Sequence, residues 1–383
     1  MKKINQQNNL SIFDYFYPNF KIEKPIRMIE LFAGYGSQAL SLKYLGINFQ
    51  HWFVSEIDKY AIDTYNKFNN TNFETCDIKN IHAKDLNIVE TNKYNYILTY
   101  SFPCTDLSLA GKREGMEKGG GTRSSLLFEV ERILKEIKDS NKELPQVLLM
   151  ENVPQVLTSK GWDQWYFFLE SLGYKNYIEI LNSKHFYIPQ NRERCFMISI
   201  LGNYNYNFPK HVKLKYLLKD YLEENVDEKY YLSEKMIKYF LGMNKKRINF
   251  PRKEIFLRCL ENTNIKGIAT TITTCAGQRP TDNFILIPKK TKLGYAIKTS
   301  PDDIGVVVRF LKKLKIRKLT PKECYRLMGV KDEEINKVTV SNAQQYKQAG
   351  NSIVISVLMA IFGELLDIDY ETKIKQIYDY QNN

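Results

Sequence analysis

The sequence predicts an α/β protein: a Rossmann-like domain with a mixed, mostly parallel sheet, joined to a smaller irregular domain. Three observations carry this. Apolar runs of strand length alternate with helical patterns through the first 200 or so residues, as in successive β-α-β units. The first strand runs directly into a turn with two glycines and then a helix, the opening of a nucleotide-binding unit. The alternation then fades over 201–315, where 23 Lys and Arg face 11 Asp and Glu, so this window holds nearly all of the chain's net charge of +13.

A length of 383 residues leaves room for two or three domains and an ample core. Contents of 43% hydrophobic and 26% charged residues are those of a soluble globular protein. The basic balance points to a polyanionic partner. Six cysteines (76, 104, 195, 259, 275 and 324) include no Cys-x-x-Cys pair, which argues against a zinc site or a disulfide framework and fits a reducing cytoplasm. The amino terminus lacks the apolar core of a signal peptide, and no run approaches the roughly 20 apolar residues of a membrane span.

Residues 1–26 read as a lead-in whose aromatic insert, Phe13 to Tyr17, packs on the body. Met28 to Phe32 is a short strand, Ala33-Gly34-Tyr35-Gly36-Ser37 the turn, and Gln38 to Leu45 a helix with Ala39, Leu42 and Leu45 on one face. A second strand, Gln50 to Ser55, ends at Glu56, twenty residues past Gly36, the spacing of a ribose-binding acid. The third glycine of the dinucleotide fingerprint is missing. This disfavours NAD and leaves a cofactor without pyrophosphate, such as S-adenosylmethionine. A helix over Lys59 to Phe68 and a short strand at Phe73-Glu74-Thr75 lead to Asp77, which suits an adenine amino group or a capping role equally.

The next strand, Tyr94 to Thr99, is stopped by Pro103, and Cys104 follows at the mouth of a basic, glycine-punctuated loop. Ligands of open α/β sheets bind at this edge; a buried, inert thiol is the plainer reading. The stretch from Glu117 to Arg123 reads as a flexible loop, and the helix beginning at Ser124 sets Leu127, Val130, Ile133, Leu134 and Ile137 toward the core. A strand from Pro145 to Met150 delivers Glu151 and Asn152 at its carboxyl end. A helix over Trp162 to Leu172 and a strand over Tyr177 to Leu181 precede Gln190-Asn191-Arg192-Glu193-Arg194 and the strand Cys195 to Ile200. Arg192 and Arg194, two apart, share a face of an extended chain and could clamp an anion or a carbonyl oxygen, or serve a surface ion-pair network.

In the basic window, tyrosines and asparagines interleave with the lysines, the composition of a surface facing a polyanion or of a plain solvated face. Ala269 to Thr274 with Gly277-Gln278-Arg279 is small, polar and loop-like, and could reach base edges. Regularity returns at Thr320-Pro321-Lys322-Glu323, a capping box opening a helix that Gly329 ends. Tyr346 to Ser352 precedes an apolar helix, Ile353 to Leu366, with Asn351 and Ser352 expected at a helix amino terminus.

Taken in order, Phe32-Ala33-Gly34-Tyr35-Gly36, Pro103-Cys104, Glu151-Asn152-Val153, Gln190-Asn191-Arg192-Glu193-Arg194, Arg317-Lys318-Leu319-Thr320-Pro321 and Gly350-Asn351-Ser352 resemble the motif set of the cytosine-5 DNA methyltransferases of bacteria and phages. The resemblance implies a methyltransferase domain (27–205 and 316–383) that binds S-adenosylmethionine and needs no metal, with a target-recognition domain inserted at 206–315. It implies Cys104 as nucleophile, Glu151 as the acid on the ring amino group and nitrogen 3, and Arg194 with Arg192 on the ring carbonyl side. It further implies cofactor contacts from Phe32, Gly34, Gly36, Glu56, Asp77, Pro103, Asn351 and Ser352, and substrate contacts from Asn152, Gln190 and Thr271. The expected partner is double-stranded DNA, with a restriction endonuclease as a further candidate, no membrane contact and a monomeric state. Thr105 departs from the Gln that often follows the family's cysteine. An RNA cytosine-5 methyltransferase and an inactive DNA-binding relative are the alternatives; the Cys-Phe-Thr element of the transfer-RNA enzyme on this fold is absent, and Thr274-Cys275 matches the dipeptide of the other RNA class.

Overall fold

A computed structural model describes residues 16–103, 126–240, 259–264, 266–275, 277–288 and 314–381. In chain order the elements are β1 (Ile26–Leu31), α1 (Ser37–Leu45), β2 (Phe49–Ser55), α2 (Lys59–Asn69), α3 (Ala83–Leu86), β3 (Asn95–Tyr100), α4 (Leu127–Asp139), β4 (Val147–Asn152), α5 (Trp162–Ser171), β5 (Tyr174–Asn182), β6 (Gln190–Asn191) and β7 (Glu193–Leu201). Then come α6 (Glu234–Phe240), β8 (Ala269–Thr270), β9 (Phe284–Pro288), β10 (Leu314–Lys318), α7 (Pro321–Arg326), α8 (Asp332–Ile335), α9 (Asn342–Asn351), α10 (Ile355–Leu366) and α11 (Tyr370–Gln381).

The main sheet has six strands in the order β2-β1-β3-β4-β7-β5. The first four are parallel, and β7 runs antiparallel between β4 and β5. Its inner parallel strands β1, β3 and β4 are buried along their whole length because both faces of the sheet are covered. Strand alternation sorts the side chains between two layers. Met28, Ile97, Val147, Leu149, Phe196 and Ile198 join one core with α1, α10 and α11. Ile29, Leu31, Leu98, Tyr100, Leu148, Met150 and Met197 join the other with α4 and α5.

Chain returning from beyond residue 314 completes this domain. α10 is buried along nearly its whole length, against α1 and α11. The stretch Asn342–Leu366 is long and apolar enough to cross a membrane, against the expectation from composition; 78% of its apolar window is buried in the protein, as in a core helix. A separate small core of Phe240, Leu260, Phe284 and Ile316 is built on the antiparallel pair of β9 and β10. Tyr206, Val212, Leu218 and Tyr221 pack instead into the main core.

Two expectations are corrected. Residues 73–75 form no strand; the chain there is tied to the end of β2 by the Cys76 amide donating to the Glu56 carbonyl at 2.8 Å. Asn351 and Ser352 lie at the carboxyl end of α9, not at a helix amino terminus, because helix already forms over the polar residues from Asn342. Of the lead-in, Phe20 and Ile22 are buried against the body, whereas Phe16 is exposed; Phe13 and Tyr15 lie outside the described residues.

Candidate active site at the carboxyl edge of the sheet

Strand register brings the site together. Leu31 lies opposite both Ser55 and Tyr100, and Tyr100 opposite Met150. One residue further on, Phe32, Glu56, Ser101 and Glu151 therefore lie level with one another along a single edge. The antiparallel β7 begins at this edge, with Cys195 opposite Asn152.

The turn after β1 is a cradle of bare backbone. Phe32, Gly34 and Gly36 have φ of 58°, 58° and 86°, a left-handed region costly for the phenylalanine. A β-carbon on Gly36 would sit 2.7 Å from the Tyr65 ring, whereas one on Gly34 would meet no atom within 4 Å. So Gly36 is closed by packing and Gly34 is open. The Gly34 and Asp58 amides donate to the two Glu56 carboxylate oxygens at 2.8 Å each, which locks the acid under the turn. Burial pushes the Glu56 carboxyl above its usual range, and the amide bonds oppose that shift. Each carboxylate oxygen keeps a lone pair for a ligand hydroxyl. Beside it Ile57 is 68% exposed, a bare apolar face. Asp77 caps the short helical turn Ile78–Asn80 by accepting from the Lys79 amide at 3.0 Å. These features fit a nucleoside group: open backbone, an oriented acid and an apolar face.

The acid side of the edge is built differently. Glu151 is buried, and its Oε1 lies 3.1 Å from Arg194 Nε. Burial raises its pKa; Arg194 and then Arg192 pull it down. Asn152 holds the strand ends together: its amide donates to the Phe102 carbonyl at 3.0 Å, and its side-chain oxygen accepts from the Val153 amide at 2.8 Å. It thereby fixes the turn entering Pro103. Cys104 and the loop 115–123 lie outside the described residues. Cys195 is fully buried, and its thiol is pushed up to about 12 by burial and by Glu151, which keeps it inert.

The paired arginines separate. Arg192 falls in the break between β6 and β7, so the two do not share one strand face. Its buried guanidinium donates to the carbonyls of Ile272 (3.0 Å), Gly350 (3.0 Å) and Ser352 (2.6 Å). Gln190 is likewise buried, accepting from the Ile272 amide at 2.9 Å and donating to the Leu327 carbonyl at 2.7 Å. The Thr271 hydroxyl donates to the Asn191 carbonyl at 2.9 Å, and β6 pairs with β8 in parallel. The 269–274 element is thus docked against Gln190, Asn191 and Arg192.

Sequence reasoning named Tyr35 and Gly350 within motifs but gave neither a role, and passed over Tyr65 and Ile57. Tyr35 Oη lies 2.7 Å from Ser352 Oγ, both buried. A β-carbon on Gly350 would come within 2.4 Å of the Thr274 amide nitrogen. The available signal was an aromatic residue between two glycines, and a glycine heading a polar helix end.

A Rossmann-like sheet with a glycine turn, an acid after β2 and a buried acid after β4 defines a nucleoside-cofactor enzyme of the methyltransferase type. The family model for C-5 cytosine-specific DNA methylases matches residues 26–367, and the chain belongs to that family. It is therefore a DNA (cytosine-5-)-methyltransferase. It is 33% identical to the type II methyltransferase M2.ScrFI of Lactococcus lactis subsp. cremoris, covering 89% of this chain and 99% of that one. It is 30% identical to the orphan methyltransferase M.SPBetaI of Bacillus phage SPbeta, covering 89% and 97%. Among solved structures, the fold is similar to that of the S. pombe Dnmt2 methyltransferase, with a TM-score of 0.67 at 20% identity over 90% of this chain and 99% of that one.

Proposed function

We propose that the chain methylates carbon 5 of a cytosine extruded from a specific short sequence of double-stranded DNA, through a covalent adduct between Cys104 and carbon 6. The observation that carries this reading is the buried Glu151–Arg194 pair on the same sheet edge as the Phe102–Pro103 turn, which Asn152 holds and which leads directly to Cys104.

Carbon 5 of cytosine is a poor nucleophile. As the Cys104 thiolate forms its bond to carbon 6, electron density moves through the ring to carbon 5. Glu151, whose pKa burial raises, donates a proton to ring nitrogen 3. Arg194 holds Glu151 in place and offers its remaining N–H donors to the ring carbonyl oxygen. S-adenosylmethionine supplies the electrophilic methyl group when bound. Loss of the carbon 5 proton to solvent then restores the ring double bond and expels the Cys104 thiolate, while nitrogen 3 returns its proton to the Glu151 carboxylate. Gly34, Gly36 and Phe32 would cradle the cofactor, Glu56 its ribose hydroxyls and Asp77 its adenine edge, with Pro103, Asn351 and Ser352 closing the site. A stacked base cannot reach such an edge, so the cytosine leaves the duplex.

Two domains are proposed for these tasks, 27–205 with 316–383 for chemistry and 206–315 for the target, the first part of the latter, Tyr206 to Tyr221, packing into the main core. The docking of Thr271 and Ile272 beside Gln190 and Arg192 supports placing a DNA-facing element next to the reacting base, with Asn152 behind the pocket. The excess of positive charge in that window suits the phosphate backbone.

The test is expression in a host lacking cytosine methylation, with 5-methylcytosine mapped across its DNA. Methylation confined to one short motif, and abolished by Cys104→Ala with DNA binding retained, is expected. Methylated RNA with unmethylated DNA would overturn the proposed substrate; persistent transfer in Cys104→Ala would overturn the adduct.

A further inference from the structure

An unbroken run of direct contacts joins the cofactor turn to the 272–274 element. Tyr35 stands between Gly34 and Gly36 but points into the core, where its ring packs against Phe68 and Tyr325. A buried phenol needs a partner, and it finds Ser352 Oγ at 2.7 Å. Ser352 Oγ also reaches the Ala349 carbonyl at 3.1 Å. A hydroxyl has one proton, so Ser352 donates to Ala349 and accepts from Tyr35. The Ser352 carbonyl accepts from Arg192 Nη2, whose Nη1 holds the Ile272 carbonyl. The same Nη2 holds the Gly350 carbonyl, and Gly350 itself abuts the Thr273–Thr274 backbone. Gln190 takes the Ile272 amide. Arg192, a fixed planar fork, reads three carbonyls from two regions of the chain at once. Such a cluster moves as a unit, because shifting one carbonyl leaves a buried donor unmatched.

We propose that Tyr35, Ser352 and Arg192 form a positioning relay through which an occupied cofactor turn fixes the 272–274 element, so that cofactor and DNA each tighten the binding of the other. This rests on the reading of 269–274 as a DNA-facing element. Tyr35 is a positioning residue that touches neither ligand; its hydroxyl couples the two sites. By linkage the coupling is reciprocal, and couplings of this kind run from about 5-fold to 150-fold.

The experiment uses the full chain, S-adenosylhomocysteine and a duplex carrying the motif found by methylation mapping. Duplex affinity is measured with and without S-adenosylhomocysteine, for the wild type, Tyr35→Phe, Ser352→Ala and the double variant. In the wild type the ligand is expected to tighten duplex binding at least about 5-fold. Tyr35→Phe keeps the ring packing, and should bring that ratio to near one while S-adenosylhomocysteine binds alone within about threefold of wild type. The double variant should show no further loss of coupling than either single change. A merely structural role would lower thermal stability and leave the ratio unchanged, and an unchanged ratio overturns the relay. Loss of S-adenosylhomocysteine binding in Tyr35→Phe also overturns it, since Tyr35 would then act on the cofactor site alone. If the wild type shows the coupling but replacing Thr271 and Thr274 by alanine leaves duplex affinity and motif choice intact, the DNA-facing reading fails instead.

Discussion

Glu151 and Arg194 meet across adjacent antiparallel strands, Nε to Oε1 at 3.1 Å, with the carboxyl buried and its pKa raised by that burial. The arginine tempers the shift without abolishing it. The pair is thus an acid that holds its proton to higher pH than an exposed glutamate would.

The first prediction concerns that proton. Single-turnover methylation should fall as pH rises through the raised pKa of Glu151, since the acid form donates. Glu151→Gln should lose about 10²-fold or more in rate and flatten this limb of the profile. Rapid-quench assays over pH 5 to about 9 check both.

The glycines of the cofactor turn should separate stability from binding. Gly36→Ala drives a β-carbon into the Tyr65 ring at 2.7 Å in a left-handed conformation, and should cost about 1–3 kcal/mol of stability. Gly34→Ala meets no protein atom within 4 Å, and its larger effect should be on the ligand: S-adenosylhomocysteine affinity down at least about 10-fold. Calorimetry and thermal melts on the same samples tell the two apart.

Asn152→Ala should leave the Phe102 carbonyl without its buried donor, at about 1–3 kcal/mol. It should slow adduct formation at Cys104 more than it weakens cofactor binding, which trapping of a covalent complex on a fluorinated cytosine duplex would measure.

A buried acid elsewhere gives a pH signature of folding. Glu30 in β1 is completely enclosed, accepts from the Tyr65 hydroxyl, and is pushed up to about 7 by burial. Between its ordinary value of 4.5 and about 7, the native chain holds a proton that the unfolded chain has released. Stability should therefore fall as pH rises across that window and level off above it. Denaturant titrations of Glu30→Gln should lose this slope, which spans up to about 3 kcal/mol in the wild type.

Most of the sheet and its helices were legible because continuous apolar runs of strand length, and apolar positions with a period of 3.6, report burial directly. Val147 to Met150 and Leu127 to Ile137 behave in this way. The strand expected at 73–75 failed because three residues with one aromatic carry no period, and tertiary contact with β2 decided their path. The edge position of Glu56 and Glu151 was readable, since parallel strands align their carboxyl ends. The separation of Arg192 from Arg194 was not: it follows from a break between β6 and β7 and from three carbonyls supplied by residues 272, 350 and 352, which no local pattern announces. The role of Tyr35 was missed for the same reason, its partner lying 317 residues away.

The packing of α1 against α10 has a consequence for biosynthesis. Helix α1 completes its packing only when a helix about 300 residues later has been made, an interval of tens of seconds at usual rates of elongation. Until then Leu40, Leu42 and Leu45 lack their final neighbours. The main core is thus incomplete in the nascent chain until α10 and α11 have been synthesised.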